Sequence, residues 1–582
     1  MTLRRRVLLS GAVLLGLVLV LGVWWGVRVA QAASALQRLS DVTQPVLDAL
    51  PAGDTEVLTE QLPALRTAAA EARSATEDPI VRASGHLPWL GDDVRAVAAV
   101  ARAADELAGA PAQALIDLSA ATDGDAAGSE DSGLDLSALV AAAPAVAEAS
   151  DTLLALRSDL EGVDPERLIG PVRTGVDRLS PLLAADPTQL RTAADLAARL
   201  PELLASGGER RYLLLAMNPA ELRTQGGIVG SVVVLTVRDG VLTLTDQRGT
   251  ADLPELDTPA LPLTEQETAL YGDRLGRWIQ DVVLSPDFPR AAQLAAAYWE
   301  QVVGDRVDGV LATDPVALTA VLAAAGGSVT VDGRQVSPDE LIGLLLREAY
   351  LAYGDPRDGD AFYARTAAAA FTALTGVMGD PAALTATAGA LADQVDAGRF
   401  RLWSADPADQ RALAGTPLAA DFLSGADQGA AVGVFLDDTT AGKLGADLEV
   451  RVSAEIAGCT EPVPTARITV RLEYRPPADI ADYPEQVLGD GGAGVPAGWI
   501  ATNLSVYSAR HGSAGTMTRD GSPIGGERAS TDGRTVHTVT SRLAPDGSQE
   551  YVIEVPAPGG TLDLHTTPTV DAPGRLTADC AR

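Results

Sequence analysis

The stretch from Val7 to Val27 carries no charged residue, follows Arg4-Arg5-Arg6, and is closed by Trp24-Trp25 and Arg28. Its 27 − 7 + 1 = 21 residues, rising about 1.5 Å each as a helix, cover roughly the 30 Å hydrocarbon thickness of a bilayer. The basic cluster predicts a cytoplasmic N-terminus and the tryptophan pair an outer interface, so everything after Arg28 is expected outside the cytoplasm. Ala30-Gln31-Ala32 fits a small-x-small cleavage site, which makes a removed signal peptide the competing reading. Apolar cores of signal peptides run about 7 to 15 residues, so length favours a retained single-pass anchor in the cell membrane.

Beyond that segment the chain is too long for one core: 582 residues, at about 100 to 200 per domain, predict three or four units. With 44 Lys+Arg against 78 Asp+Glu, the net charge of −34 argues against nucleic-acid binding, whose affinity rests on neutralising many phosphates. An anionic ligand would need a local cluster of arginines, since Lys443 is the single lysine. The two cysteines, Cys459 and Cys580, lack a nearby Cys or His at metal spacing, and in an external domain they are expected to form one disulfide.

The expected fold class is multidomain α+β. Residues 1–28 form the cytoplasmic tip and transmembrane anchor, 29–206 a helical stalk or bundle, 207–440 an α/β domain and 441–582 a β-sandwich-like domain. Asp92 or Asp93 can cap one Ala-rich helix. Another is expected to start at Pro144, end at Gly162 and pack along Val146, Ala149, Leu153, Leu156 and Leu160. The acidic, Gly/Ser-rich stretch Thr122 to Gly133 reads as a solvated linker and lacks calcium-loop spacing.

The α/β domain opens with strand-type runs Tyr212 to Met217 and Ser231 to Val237. The polar turn between them gathers Asn218, Glu221, Arg223, Gly226 and Gly227. A third strand, Val241 to Thr245, returns through Arg238-Asp239-Gly240, with Arg248 and Asp252 just beyond it. A polar turn between buried strands is where a fold usually presents chemistry. A helix is predicted from Pro289 to Gly304. The segment after Gly309 reads strand (Val310 to Ala312), helix capped by Asp314 with Pro315 at its first position, and strand (Ser328 to Val331), an α/β unit. Ser337-Pro338-Asp339-Glu340 opens another helix, and one over Ala361 to Thr375 carries Arg365. From about Leu444 the period changes to two, with alternation in Leu448 to Val452, Ile468 to Tyr474 and Tyr551 to Val555.

Familiar catalytic motifs fail. Gly489 to Gly494 spells G-x-G-x-x-G, yet no strand leads into it and Val495-Pro496 follows, so a loop is expected. The histidines at 86, 511, 537 and 565 are scattered, and Ser231 lacks a nucleophile-elbow frame.

The motifs NPAELRTQGGIVGS, SPDFPRAA, VDGVLATDPVALTAVLAAAGGSVTV and RLWSADPADQRAL, with the downstream Lys443, resemble the bacterial membrane-anchored family of domain of unknown function 4012 from His86 onward. That resemblance implies an architecture and a location, not a reaction. More distantly, the order of strand, turn ending in Arg223, hairpin, Arg248 and GDPRDGDAFYARTAAAAF is similar to the LytR-CpsA-Psr family. Those enzymes move a glycopolymer phosphate from a polyprenyl pyrophosphate lipid to peptidoglycan, using arginines, an acidic residue and magnesium. The resemblance implies a LytR-CpsA-Psr-like central domain with Arg223, Arg248 and Arg365 on the pyrophosphate, and beside Arg223 the absent side chains of Gly226 and Gly227 would let backbone amides approach an anion. Glu221 or Asp252 would be the acid that holds Mg²⁺. Guanidinium forks suit phosphate oxygens at any relevant pH. The chain departs from that family where an acidic residue opens the second strand, since Gly230-Ser231 stands there, and Gln247-Arg248-Gly249 replaces a Pro-Arg-Asp.

Two functions follow as expectations. One is an envelope phosphotransferase or phosphohydrolase acting on a lipid-linked cell-wall glycan. The other is a non-enzymatic envelope protein that retains the fold and binds a polymer or partner, its arginines being salt-bridged.

Overall fold

A computed structural model describes residues 3–52, 55–122, 133–183, 187–354, 356–377, 381–489 and 494–580. Residues 123–132 of the expected linker, and 490–493 of the glycine-rich loop, lie outside the described residues. The chain divides into a helical unit (Met1–Ala126, Asp135–Ser206 and Gly379–Thr385) and a larger unit made mainly of Gly207–Met378 and Ala386–Arg582.

The helical unit begins with α1 (Leu3–Ala52), one unbroken helix. The boundary expected at Arg28 is therefore not a structural break. The apolar run continues into a stripe at Ala32, Ala35 and Leu39, spaced three and four apart, that is buried against the rest of the unit. α2 (Thr55–Thr76), the short α3 (Pro79–Ser84), α4 (Gly91–Leu107), α5 (Ala110–Thr122), α6 (Ser137–Glu161), α7 (Gly170–Leu183) and α8 (Pro187–Leu203) follow, and the start of the helix Pro381–Asp396 joins the same unit. Asp92 and Asp93 lie in the first turn of α4, but the capping position is Leu90. α6 starts two turns before the expected Pro144, which sits inside it with an exposed side chain. Its buried face runs through Ala142, Ala143, Ala145, Thr152 and Leu156, while Val146 is exposed. Alanines let neighbouring helices approach closely, so the seam follows small residues rather than the leucine spacing.

In the larger unit the first sheet contains β1 (Glu209–Asn218), β2 (Ile228–Arg238), β3 (Val241–Gly249), β4 (Gly309–Thr313) and β5 (Arg401–Ser404), in the order β3-β2-β1-β4-β5. β1 and β4 are parallel and the other pairs antiparallel. The β2–β3 turn is a type I′ hairpin turn: Asp239 and Gly240 have φ of 51° and 84°. β3 runs to Gly249 rather than Thr245, because pairing with β2 carries it through the polar residues, so Arg248 faces Val232 inside the strand. One face of the sheet is covered by α9 (Phe288–Val303), whose Phe288, Ala292, Ala295 and Trp299 pack on Leu213, Leu215, Val232 and Val310. α10 (Pro315–Ala324) starts as predicted: Asp314 accepts from the Ala317 amide. The following strand does not complete an α/β unit. Val329–Val331 pairs with Arg334–Val336 across an Asp332-Gly333 turn, forming its own hairpin. A three-residue strand followed at once by an Asp-Gly turn satisfies its ladder locally. α11 (Pro356–Val377) carries Arg365.

Two further sheets share one apolar core. The first orders β7 (Leu448–Ala457), β8 (Thr465–Tyr474), β11 (Ser548–Pro556), then Thr516–Arg519 and Ser522–Pro523. The second orders Glu527–Thr531, β10 (Arg534–Leu543), β9 (Ile500–Tyr507), β6 (Val432–Asp438), β12 (Thr561–Thr566) and β13 (Arg575–Asp579). Ile468, Val470, Tyr551 and Ile553 of one meet Val434, Leu436, Leu504 and Val506 of the other. The boundary expected at 440/441 cuts off β6, which lies between β9 and β12. Its apolar stretch Val432 to Leu436 has no period-two signature because the strand is buried on both faces. Cys459 and Cys580 form a disulfide, tying the turn after β7 to the residue after β13.

Candidate functional site

The turn between β1 and β2 is built by its own backbone. Asn218 accepts from the Ala220 amide, and the Gly226 amide donates to the Arg223 carbonyl at 2.7 Å. Gly226 has φ of 123°, and a Cβ on Gly227 would lie 2.3 Å from the Asn218 carbonyl, so both glycines are required by the chain path. Gly226 is also faced by Pro568. The pair is closed in by protein, not presented to an anion.

The turn's side chains are likewise consumed. Leu222, 1% exposed, enters the core of the two later sheets. The Leu222 and Ala220 carbonyls accept from the Asp438 and Gly445 amides. Thr224 donates through its amide (2.7 Å) and hydroxyl (3.0 Å) to Asp437, and its carbonyl accepts from the Thr567 hydroxyl at 3.0 Å. The turn is thus a plug that fastens the first sheet to the other two.

Glu221 and Arg223 are brought together there, but by each other. Arg223, 5% exposed, gives Nη2 to Glu221 at 2.7 Å and Nε to Asp281 at 3.2 Å. Arg274 bonds the other Asp281 oxygen at 2.8 Å, and Lys443 pairs with the other Glu221 oxygen. The result is an alternating row: Arg274, Asp281, Arg223, Glu221, Lys443. Burial pushes the Glu221 carboxyl upward, but the charges of Lys443 and Arg223 outweigh it and hold it below its ordinary value. Burial also opposes the charge on Arg223, and the Glu221, Asp281, Asp438 and Asp437 carboxylates more than restore it. Beside the row, burial lifts Asp437 to about 6 against the pull of Arg223 and Thr224, and lifts Asp438 to about 6 against Thr440 and Arg223.

The other expected residues lie elsewhere. Arg248 pairs with Asp246 at 3.1 Å and stacks 5.2 Å from the Trp299 ring, on the α9 face of the sheet. Arg365 forms an exposed fork with Asp332 at 2.8 and 3.0 Å. Its helix, α11, meets the opposite face, where Asp360 occupies the space that a Cβ on Gly249 would need. The three arginines therefore share no partner and do not form one cradle. Asp252 is exposed in the short turn Thr250–Asp252, and burial together with its charge raises the Asp360 carboxyl. Asp360 Oδ2 has no hydrogen-bond partner among the described residues. No group of three or more His, Cys, Asp or Glu side chains is placed to hold a metal among the described residues. Glu221 does not fit Mg²⁺, because both its oxygens already face cations.

Arg399 and Arg401, beyond β4 and on β5, are further residues that no motif marked as a site. Arg399 bonds Asp314 at 2.8 Å and the Ala572 carbonyl at 3.0 Å. Arg401, 3% exposed, has no partner for Nε or Nη1 among the described residues, and burial lowers it to about 10. The sequence signal is an arginine pair at the entry to a short strand, with Arg401 opening the RLWS run.

Residues 207–350 match the family described as Protein of unknown function (DUF4012). The match takes in the first sheet through β4, with the plug, and stops short of the disulfide-linked sheets. Neither the curated proteins nor the solved structures contain a match to the chain.

Proposed function

We propose that this chain is a membrane-anchored, extracytoplasmic protein of the cell envelope that acts by binding rather than by turnover. The observation that carries this reading is the committed state of Arg223. A guanidinium that is 5% exposed and held by two carboxylates cannot take a pyrophosphate without leaving both carboxylates uncompensated. The two later sheets, read as a β-sandwich, would be the contact surface. A net charge of −34 disfavours a polyanionic wall polymer and favours a neutral glycan or a basic protein segment.

The enzymatic reading retains one observation: Asp252 and Asp360 converge at the end of the strand that carries Arg248. Full-length protein in detergent, given a polyprenyl-pyrophosphate-linked sugar, Mg²⁺ and peptidoglycan, separates the two. We expect no Mg²⁺-dependent transfer or phosphate release, and no isoprenoid phosphate co-purifying in native mass spectrometry. Turnover that is lost in both Asp252→Asn and Asp360→Asn would replace the binding reading with the enzymatic one.

A further inference from the structure

We infer that the anchor helix is not the only part of the helical unit that enters the bilayer. The Gly85–Leu90 loop, with Leu87 and Trp89 at its tip, and Ile169 beside it form a second, interfacial contact with the same membrane. The inference rests on the anchor reading of α1.

The level of the membrane surface is marked on α1 itself. Leu19, Val20 and Val23 are 61%, 66% and 69% exposed, as lipid-facing residues of a spanning helix would be in the absence of lipid. Trp24 and Trp25 follow, the residue type that settles at headgroup depth. Their indole N–H groups bond Asp78 and Ser84, each at 3.0 Å, and Arg28 lies 3.3 Å from Asp78. The turn into α3, and α3 itself, are thereby fixed at the depth of the tryptophan pair.

The helix directions put the loop at the same depth. Ala35, Ala72 and Ala101 meet in one layer, and Leu39, Ala68 and Ala108 in the next, so α1 and α4 run outward together while α2 returns. Gly91, which opens α4, lies ten residues before Ala101, and Trp25 ten before Ala35. At about 1.5 Å per residue both are roughly 15 Å below that layer. The loop preceding Gly91 therefore forms the membrane-facing end of the unit. Ile169 belongs to the same end, since its amide donates to Asp93 in the first turn of α4 at 2.9 Å.

What this end exposes is apolar. Trp89, at 72%, is the most exposed large apolar side chain among the described residues, with Ile169 at 54% and Leu87 at 41%. Water has no use for three such side chains at one end of a bundle whose other contacts bury alanine. A lipid surface does, and the exposed Arg82 suits a headgroup layer, while Arg167 close by is paired with Asp164 at 3.3 Å. The occupant is the bilayer crossed by α1, because the loop is tied to that depth and cannot avoid it. One helix alone leaves the external portion free to swivel. A second contact fixes its orientation relative to the membrane.

The test uses the full chain, whose native cysteines are bridged, with single introduced cysteines carrying an environment-sensitive fluorophore. Trp89→Cys, Val20→Cys in the anchor and Asp117→Cys near the far end are compared in phosphatidylglycerol/phosphatidylethanolamine vesicles containing spin-labelled lipid. We expect the label at 89 to be blue-shifted and quenched severalfold more than the label at 117, with the label at 20 quenched as well. Quenching at 20 with none at 89 overturns the interfacial contact while the anchor stands. Absence of quenching at 20, with protein released by alkaline washing, overturns both. Ile169→Cys serves as a second probe if Trp89→Cys fails to fold, and the same outcomes apply to it.

Discussion

Arg223 is the residue on which the two functional readings turn, and its environment predicts what its loss does. Removing the guanidinium leaves Glu221 and Asp281 facing the same space with only Lys443 and Arg274 at the ends of the row. Breaking a buried pair from one side typically costs about 3–5 kcal/mol. Arg223→Met is expected to lower the unfolding temperature accordingly, and Arg223→Met with Glu221→Gln and Asp281→Asn to recover part of the loss. A stable Arg223→Met protein in a thermal melt would show that the row carries no such load. Asp437 gives a pH signature. Its folded value of about 6 lies above the ordinary 3.8, so between those values the folded state binds the extra proton, and the stability it contributes falls as pH rises through that window. Asp437→Asn should therefore stabilise the protein at pH 7.5 by roughly 2–3 kcal/mol, taking 1.36 kcal/mol per unit. Near pH 4 it should have little effect, and equal gains at both pH values in thermal melts would contradict the assignment. Glu221 and Arg223 were legible as neighbours in the sequence. Their true partners were not, because Asp281 stands 58 residues from Arg223 and Lys443 stands 222 residues from Glu221, separations that no spacing rule connects.

At the scale of elements, local chemistry was readable where the element decides its own form. The Asp239-Gly240 turn, the Asp314 cap with Pro315, and the Ser337 box with Glu340 all form as their residues dictate. Legibility failed where a tertiary partner decides. β3 is lengthened by its neighbour, Val329–Val331 leaves the main sheet for a hairpin, and β6 belongs to a sheet whose other strands follow it. The Cys459–Cys580 bridge joins strands that are already neighbours, since β7 and β13 touch. It closes a separation of 121 residues, for which the chain-entropy treatment gives about 4–5 kcal/mol, with a wide range among real disulfides. Reduction is expected to lower the melting temperature of the larger unit while leaving helical content in the far-ultraviolet spectrum nearly unchanged at 25 °C. Two free thiols titrated in unreduced, denatured protein would refute the pairing.

At the scale of the whole chain, the question is whether α1 stays. Ala30-Gln31-Ala32 resembles a cleavage site, yet it lies inside a continuous helix that packs Ala32 and Ala35 into the unit at 5% and 0% exposure. Removing everything before Ala33 would also strip Asp78 of Trp24 and Arg28, and Ser84 of Trp25. Trp24, Trp25 and Arg28 thus pack with the turn before α3 and with α3 itself. Combined with the arginines at 4 to 6 and the preference of such clusters for the cytoplasmic side, this predicts a retained anchor with the N-terminus inside. Intact mass should include the first 28 residues, and the protein should resist alkaline extraction. Protease added outside cells with a permeable envelope should remove everything beyond Arg28 and spare an N-terminal tag. A mature chain beginning near Ala33, or a C-terminal tag protected from the protease, would overturn the anchored topology, and with it the premise that the Trp89 end faces lipid.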